Sequence, residues 1–187
     1  VGNDQKQHLE LCRDIAQKFN NDFNVDDFFK IPEPLIKKEF SRIMSLKDGL
    51  KKMSKSEISD LSRINLTDDK DTIVNKIKKA KTDALPLPST VEELEKRPEA
   101  KNLIGIFSSL SGLTLENSLN EFSGKNFSNF KENLSQLLIE KIIPISQKIK
   151  ELLNDHNYLD SILIDGCKKA NKIASEKVKK IHQIIGF

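Results

Sequence analysis

Apolar residues recur at helical spacing over most of the chain. Leu9, Cys12, Ala16 and Phe19, widened by Leu11 and Ile15, predict an amphipathic helix near the start. From about residue 67 helices dominate. Thr67, Asp68 and Asp69 offer N-caps and negative charge ahead of a stripe of Ile73, Val74, Ile77 and Ala80. Leu85-Pro86-Leu87-Pro88 breaks that helix, and Ser89 with Glu92 has capping-box spacing for a short helix ending at Arg97-Pro98. Ala100, Leu103, Ile104, Phe107 and Leu110 line a further helix stopped near Gly112. Thr114 opens one carrying Leu115, Leu119 and Phe122, which ends by Gly124. Two long helices follow. One runs from Phe127 through Leu138 to Leu152 with Pro144 inside it, and the last from about Leu159 to Ile181; both stripes read as core.

Before residue 67 the pattern offers two strand candidates, 40–46 and 62–66. The first ends in Ile43-Met44-Ser45-Leu46, and Lys47-Asp48-Gly49 is a turn signal that releases it into a loop. That loop is Lys52-Met53-Ser54-Lys55-Ser56. Two compact ammonium charges on flexible stems, three residues apart with small hydroxyls around them, suit a polyphosphate whose charge shifts during reaction. The bland alternative is a solvated loop, because 27 of the 31 basic residues are lysine. The place after a strand end, where open α/β sheets hold their ligands, favours a phosphate clamp. At the start of the chain, Gly2 lets a ligand approach the backbone, and Asp4 either caps the helix or accepts from a sugar hydroxyl.

Composition narrows the class. A chain of 187 residues, 37% hydrophobic and 32% charged, is enough for about one domain or parts of two. It has no apolar run long enough to cross a bilayer and no signal peptide, so a cytoplasmic protein without a membrane partner is expected. Cys12 and Cys167 fall at apolar helical positions and read as core thiols; His8, His156 and His182 are too scattered for a metal cluster, so no metal ligand is assigned. Charge is uneven. Residues 30–55 hold 8 basic and 3 acidic side chains, 141–187 hold 9 and 5, and 1–29 hold 3 and 6. Lys168, Lys169, Lys172, Lys179 and Lys180 would suit a phosphate backbone, or simply a solvated face.

The segment Gly2-Asn3-Asp4-Gln5-Lys6-Gln7-His8-Leu9-Glu10-Leu11, with Arg13-Asp14-Ile15-Ala16, resembles the bacterial tryptophanyl-tRNA synthetases. Arg42 to Leu46, Lys52 to Ser56, Ile64 to Asp69, Ala80 to Asp83 and Ala170 to Ser175 agree with that family in order and spacing, so the resemblance covers the whole chain. It implies an α/β then all-α fold: the second half of a Rossmann-like nucleotide-binding domain in 1–66 and a helical, anticodon-recognising tRNA-binding domain in 67–187. It implies a tryptophan-tRNA ligase that uses ATP with Mg2+ to activate L-tryptophan and transfers it to tRNA(Trp), as a homodimer in its complete form. Carried over by position, Gly2, Asn3 and Asp4 contact ATP, chiefly its ribose, and Ile43 meets the adenine through its backbone. Lys52, Met53, Ser54, Lys55 and Ser56 hold the phosphates, with Lys52 and Lys55 catalytic. Gln5 is the candidate for the tryptophan amino or carboxylate group.

Two positions depart from the family pattern: Asn3 stands where many relatives are acidic, and Glu57-Ile58-Ser59 replaces the Asp-Pro-Asn that often follows the loop. The family's His-Ile-Gly-His signature and its tryptophan-selecting acidic residue are not in the sequence. The chain is therefore expected to be the carboxy-terminal portion of a longer enzyme, its first third short of sheet partners and poorly ordered without them. Three other readings stay open: a tyrosyl-tRNA synthetase, a noncatalytic RNA-binding helical module, and an inactive structural fragment.

Overall fold

The computed structural model describes residue 2, residues 5–36 and residues 42–187. The chain divides into two compact units, one of 1–41 with 151–187 and one of 42–150.

In the first unit α1 (Lys6–Asp22) begins after Gln5. The loop that follows is folded by Asn20. Its side-chain amide donates to the Phe29 carbonyl at 2.8 Å and accepts from the Phe29 amide at 3.0 Å, the pair of bonds that a neighbouring strand would make. Phe19 lies 4.8 Å from Phe23 and 5.0 Å from Phe29, ring centre to ring centre, in a small aromatic cluster. The helix α7 (His156–Ile185) starts where the Asp155 carboxylate accepts from the Tyr158 amide at 3.0 Å. Lys177 on α7 donates to the Phe28 carbonyl, and its ammonium stands 3.6 Å from the centre of the Phe28 ring.

Two expectations fail in this unit. The α7 stripe is not core: no residue of the helix is buried, and Leu163 and Ile173 are largely exposed. Periodicity identifies which face of a helix is apolar, not whether anything covers it. Cys12 and Cys167, expected as core thiols, are exposed for the same reason.

The second unit carries a hairpin on a helical core. Strands β1 (Met44–Ser45) and β2 (Asp48–Lys52) pair antiparallel, with Met44 opposite Lys52. Lys47-Asp48-Gly49 therefore does not release a strand into a loop: Leu46 and Lys47 make the hairpin turn, and Asp48 and Gly49 open β2. The strand expected at 62–66 is absent. In its place Asp60–Ser62 forms a 3-10 turn, and Asn65 bonds through its own backbone amide to Asp68 Oδ2 at 2.9 Å, so side chains supply what a sheet would have.

Helices α2 (Lys70–Lys79), α3 (Val91–Glu95), α4 (Pro98–Ser111), α5 (Leu115–Phe122) and α6 (Phe127–Leu153) follow. Asp69 caps α2 by accepting from the Thr72 amide at 2.8 Å. The cap of α3 is Thr90, one residue later than expected, because its hydroxyl accepts from the Glu93 amide and Glu93 reaches back to the Ser89 amide. Gly112, at φ 75°, closes α4 in the left-handed conformation. The core is continuous: Ile73 and Ile77 of α2, Leu94 of α3, Leu103 and Ile104 of α4, and Leu134 and Leu138 of α6 are all buried in it. At its centre Phe122 lies 4.9 Å from both Phe107 and Phe130, ring centre to ring centre.

Candidate active site

The candidate phosphate clamp, Lys52-Met53-Ser54-Lys55-Ser56, begins at the last residue of β2. Lys52 ends the strand; Met53 leaves it and packs on the helical core; Ser54 to Ser56 turn back. Ser54 shapes that turn. Its hydroxyl lies 2.9 Å from the Ser56 hydroxyl and accepts from the Ser56 amide at 3.3 Å. Lys52 and Lys55 are both exposed, and among the described residues the Lys55 side chain makes no ion pair or hydrogen bond. The Met53 amide donates to the Ile43 carbonyl at 3.0 Å, so the clamp and the residue before β1 are held together.

The hairpin is fixed to the rest of the unit at three points, none of which the sequence pattern announced. Asn102 of α4 receives the Met44 amide at 2.9 Å and donates to the Met44 carbonyl at 2.8 Å. Leu46 is buried, with its amide on the Ser62 carbonyl at 2.9 Å and its carbonyl receiving the Lys81 amide at 2.7 Å. Gly49 lies directly against the first turn of α4: a Cβ there would stand 2.6 Å from the Glu99 nitrogen and the Pro98 carbonyl carbon. Here glycine permits close approach and is not merely a turn residue. Lys81 pairs with Glu99 at 2.8 Å, which holds the Glu99 carboxyl below its ordinary range and the Lys81 ammonium above its own.

The segment after Ser56 leads to an ionic cluster that the apolar pattern does not announce. Lys76 of α2 has a side chain 1% exposed, with Nζ 2.6 Å from Asp60 and 2.6 Å from Asp68. The hydrogen bond from Lys76, followed by that from Asn65, holds the Asp60 carboxyl below its ordinary range. A signal was available, because Lys76 projects into the stripe of Ile73, Ile77 and Ala80, where a lysine needs buried partners. The Thr82-Asp83 segment is also explained. Asp83 takes two bonds from Arg97, at 2.8 and 2.5 Å, while the same guanidinium donates to the Pro86 carbonyl at 2.6 Å.

Gly2 and Gln5 belong to the first unit, and Ile43 with 52–56 to the second. The Gln5 amide donates to the Gly2 carbonyl at 3.0 Å, and Gln5 stands at the N-cap of α1. Asn3 and Asp4 lie outside the described residues, as do 40 and 41 of the first expected strand. No helix among the described residues is long and apolar enough to cross a membrane.

The family model described as tRNA synthetases class I (W and Y) matches residues 1–142. Tryptophan-tRNA ligase of Caulobacter vibrioides is 51% identical over the whole chain, which covers 54% of that protein. The Rickettsia conorii enzyme of the same name is 52% identical, with 56% of it covered. The chain thus spans about half the length of the curated relatives it matches. The crystal structure of tryptophanyl-tRNA synthetase from Mycoplasma pneumoniae aligns with all of this chain and 55% of its own at TM-score 0.84 and 29% identity. That from Campylobacter jejuni, complexed with ADP and tryptophan, aligns at TM-score 0.67 and 31% identity, covering 100% of this chain and 56% of its own. A family model over residues 1–142 and relatives about half identical over the whole chain place this protein in the class I tRNA synthetase family of tryptophan and tyrosine enzymes.

Proposed function

We propose that the chain contributes the phosphate clamp and the tRNA-binding helices of a tryptophan-tRNA ligase. The observation that carries this reading is Lys52-Met53-Ser54-Lys55-Ser56 on its braced hairpin, in a chain 51% identical over its full length to a protein of that name. In the reaction a tryptophan carboxylate oxygen attacks the α-phosphorus of ATP, and the bond to pyrophosphate breaks. A hydroxyl of the terminal adenosine of tRNA then attacks the acyl carbon of the adenylate and releases AMP. No protein nucleophile is needed. The protein positions the reactants and stabilises charge as it develops.

Lys52 and Lys55 meet the departing pyrophosphate, where negative charge accumulates. Ser54 and Ser56 shape the loop that carries them, and Met53 anchors it in the helical core. Ile43 presents backbone to the adenine; Gly2, Asn3 and Asp4 hold the ribose; Gln5 takes the tryptophan amino or carboxylate group. Among the described residues no cluster of three or more His, Cys, Asp or Glu forms a cation site, and the clamp offers ammonium groups. These residues do not fit a protein-held Mg2+, which in this reading enters with ATP as part of the substrate.

Residues 1–66 serve nucleotide binding and 67–187 serve tRNA(Trp). The exposed Lys168, Lys169, Lys172, Lys179 and Lys180 of α7 supply positive charge for the RNA backbone. The complete enzyme works as a cytoplasmic homodimer. Exchange of label between pyrophosphate and ATP tests the reading: dependence on tryptophan supports it, and dependence on tyrosine points to the other branch of the family.

A further inference from the structure

Lys76 has no part in the reaction as described, yet it is the most deeply buried charged side chain near the clamp. Of its two carboxylate partners, Asp60 opens the 3-10 turn that follows the clamp and Asp68 lies beyond it, ahead of α2. From Asp60 the connections run outward. Arg63 lies 3.0 Å from Asp60 and donates to the Glu57 carbonyl at 2.9 Å, and Glu57 is the residue next to Ser56. They also run inward to the hairpin, because the Ser62 carbonyl, within the same turn, accepts the Leu46 amide.

We propose that Lys76 is a positioning residue for the phosphate clamp, fixing the far end of Lys52-Met53-Ser54-Lys55-Ser56 through Asp60 and Arg63 and the near end through the Ser62 to Leu46 bond. Both ends of a loop must be fixed for its ammonium groups to reach a set point. Asn102, Gly49 and the Ile43 carbonyl secure the near end from the hairpin side, and the Arg63 to Glu57 bond is the brace at the far end. A neutral side chain at 76 would leave Asp68, itself buried, without its cation and would release the turn between 57 and 68. What the clamp does in catalysis rests on the ligase reading; the mechanical coupling does not.

The coupling is tested on the 187-residue chain by amide hydrogen exchange in Lys76→Met and, because that variant removes a buried charge, in parallel in the milder Asp60→Asn. The expected result is at least roughly tenfold faster exchange at Leu46, Met53 and Ser62, with the α4 and α6 amides unchanged. Unchanged exchange at those three amides, or a uniform loss of protection throughout 42–150, would overturn the proposal. In protein competent for exchange, Lys76→Met should lower kcat for adenylate formation by about tenfold or more with the tryptophan KM within about twofold, and Lys76→Arg should restore most of it. The effect should vanish in a Lys55→Ala background, since both then act through one group; full additivity would contradict it. If the chain shows no amino-acid-dependent pyrophosphate exchange either alone or mixed with the portion of the Caulobacter vibrioides ligase that it does not cover, the ligase reading fails, and the hydrogen-exchange result still decides the coupling.

Discussion

The Met53 amide and the Ile43 carbonyl, 3.0 Å apart, join the proposed phosphate clamp to the residue proposed to meet adenine. A nucleotide bridging the two would thus contact one backbone unit at both its base and its phosphates. The spacing between them is set by the hairpin, and therefore by whatever holds the hairpin in place.

Removing the Lys55 ammonium should affect the chemical step. Lys55→Ala is expected to slow adenylate formation by roughly 100-fold with a smaller change in tryptophan binding, because a donor used mainly in the transition state changes the rate constant. Single-turnover formation of the adenylate measures this. An unchanged rate with weaker ATP affinity would contradict the role.

Gly49→Ala tests the packing of β2 on α4. The added methyl would sit 2.6 Å from backbone atoms of Pro98 and Glu99, which cannot rotate away. The expected loss of stability is about 1–3 kcal/mol, the usual range for overpacking. Urea unfolding should show it, accompanied by slower adenylate formation as the clamp shifts. Wild-type stability would mean that the hairpin does not lie against α4.

Asn102→Leu keeps the volume and removes both bonds to Met44. With the Met44 amide and carbonyl left without their partner, a cost of about 1–3 kcal/mol is expected. Thermal unfolding reads the loss, and Asn102→Asp, which keeps an acceptor but no donor, should fall between the two.

Much of the second unit was legible in the sequence because its stripes are regular and its caps are short polar residues. Lys52-Met53-Ser54-Lys55-Ser56 stands out as a candidate from its residue types and spacing. Its supports do not. Asn102 stands in for a strand partner from 58 residues away, and local periodicity carries no trace of such a contact. Lys76 shares its helix face with Ile73, Ile77 and Ala80, so hydrophobic periodicity alone does not set it apart. The stripe of α7 is the opposite case, a regular apolar face with no buried residue, because periodicity does not say what covers a face.

The Arg97 pairing predicts an acid dependence. Hydrogen bonds from Arg97 hold the Asp83 carboxyl below its ordinary value of 3.8. A lowered carboxylate contributes stability that is fully present above its unfolded pKa and is lost as pH falls through the folded one. The Glu99 carboxyl, lowered by Lys81, adds a loss of the same sign, whereas the raised Lys81 contributes stability lost only as pH climbs past its ordinary 10.5. The stability difference between wild type and Asp83→Asn should be flat from about pH 5 to 7 and shrink below about pH 4. A difference independent of pH down to about 2 would show that the carboxylate charge contributes nothing.

The most direct measurement is tryptophan-dependent ATP/pyrophosphate exchange by this chain, alone and mixed with the portion of the Caulobacter vibrioides ligase that the chain does not cover. Exchange that appears on mixing, requires tryptophan and is lost in Lys55→Ala is the predicted result. Folded protein by circular dichroism with no exchange under either condition would contradict it.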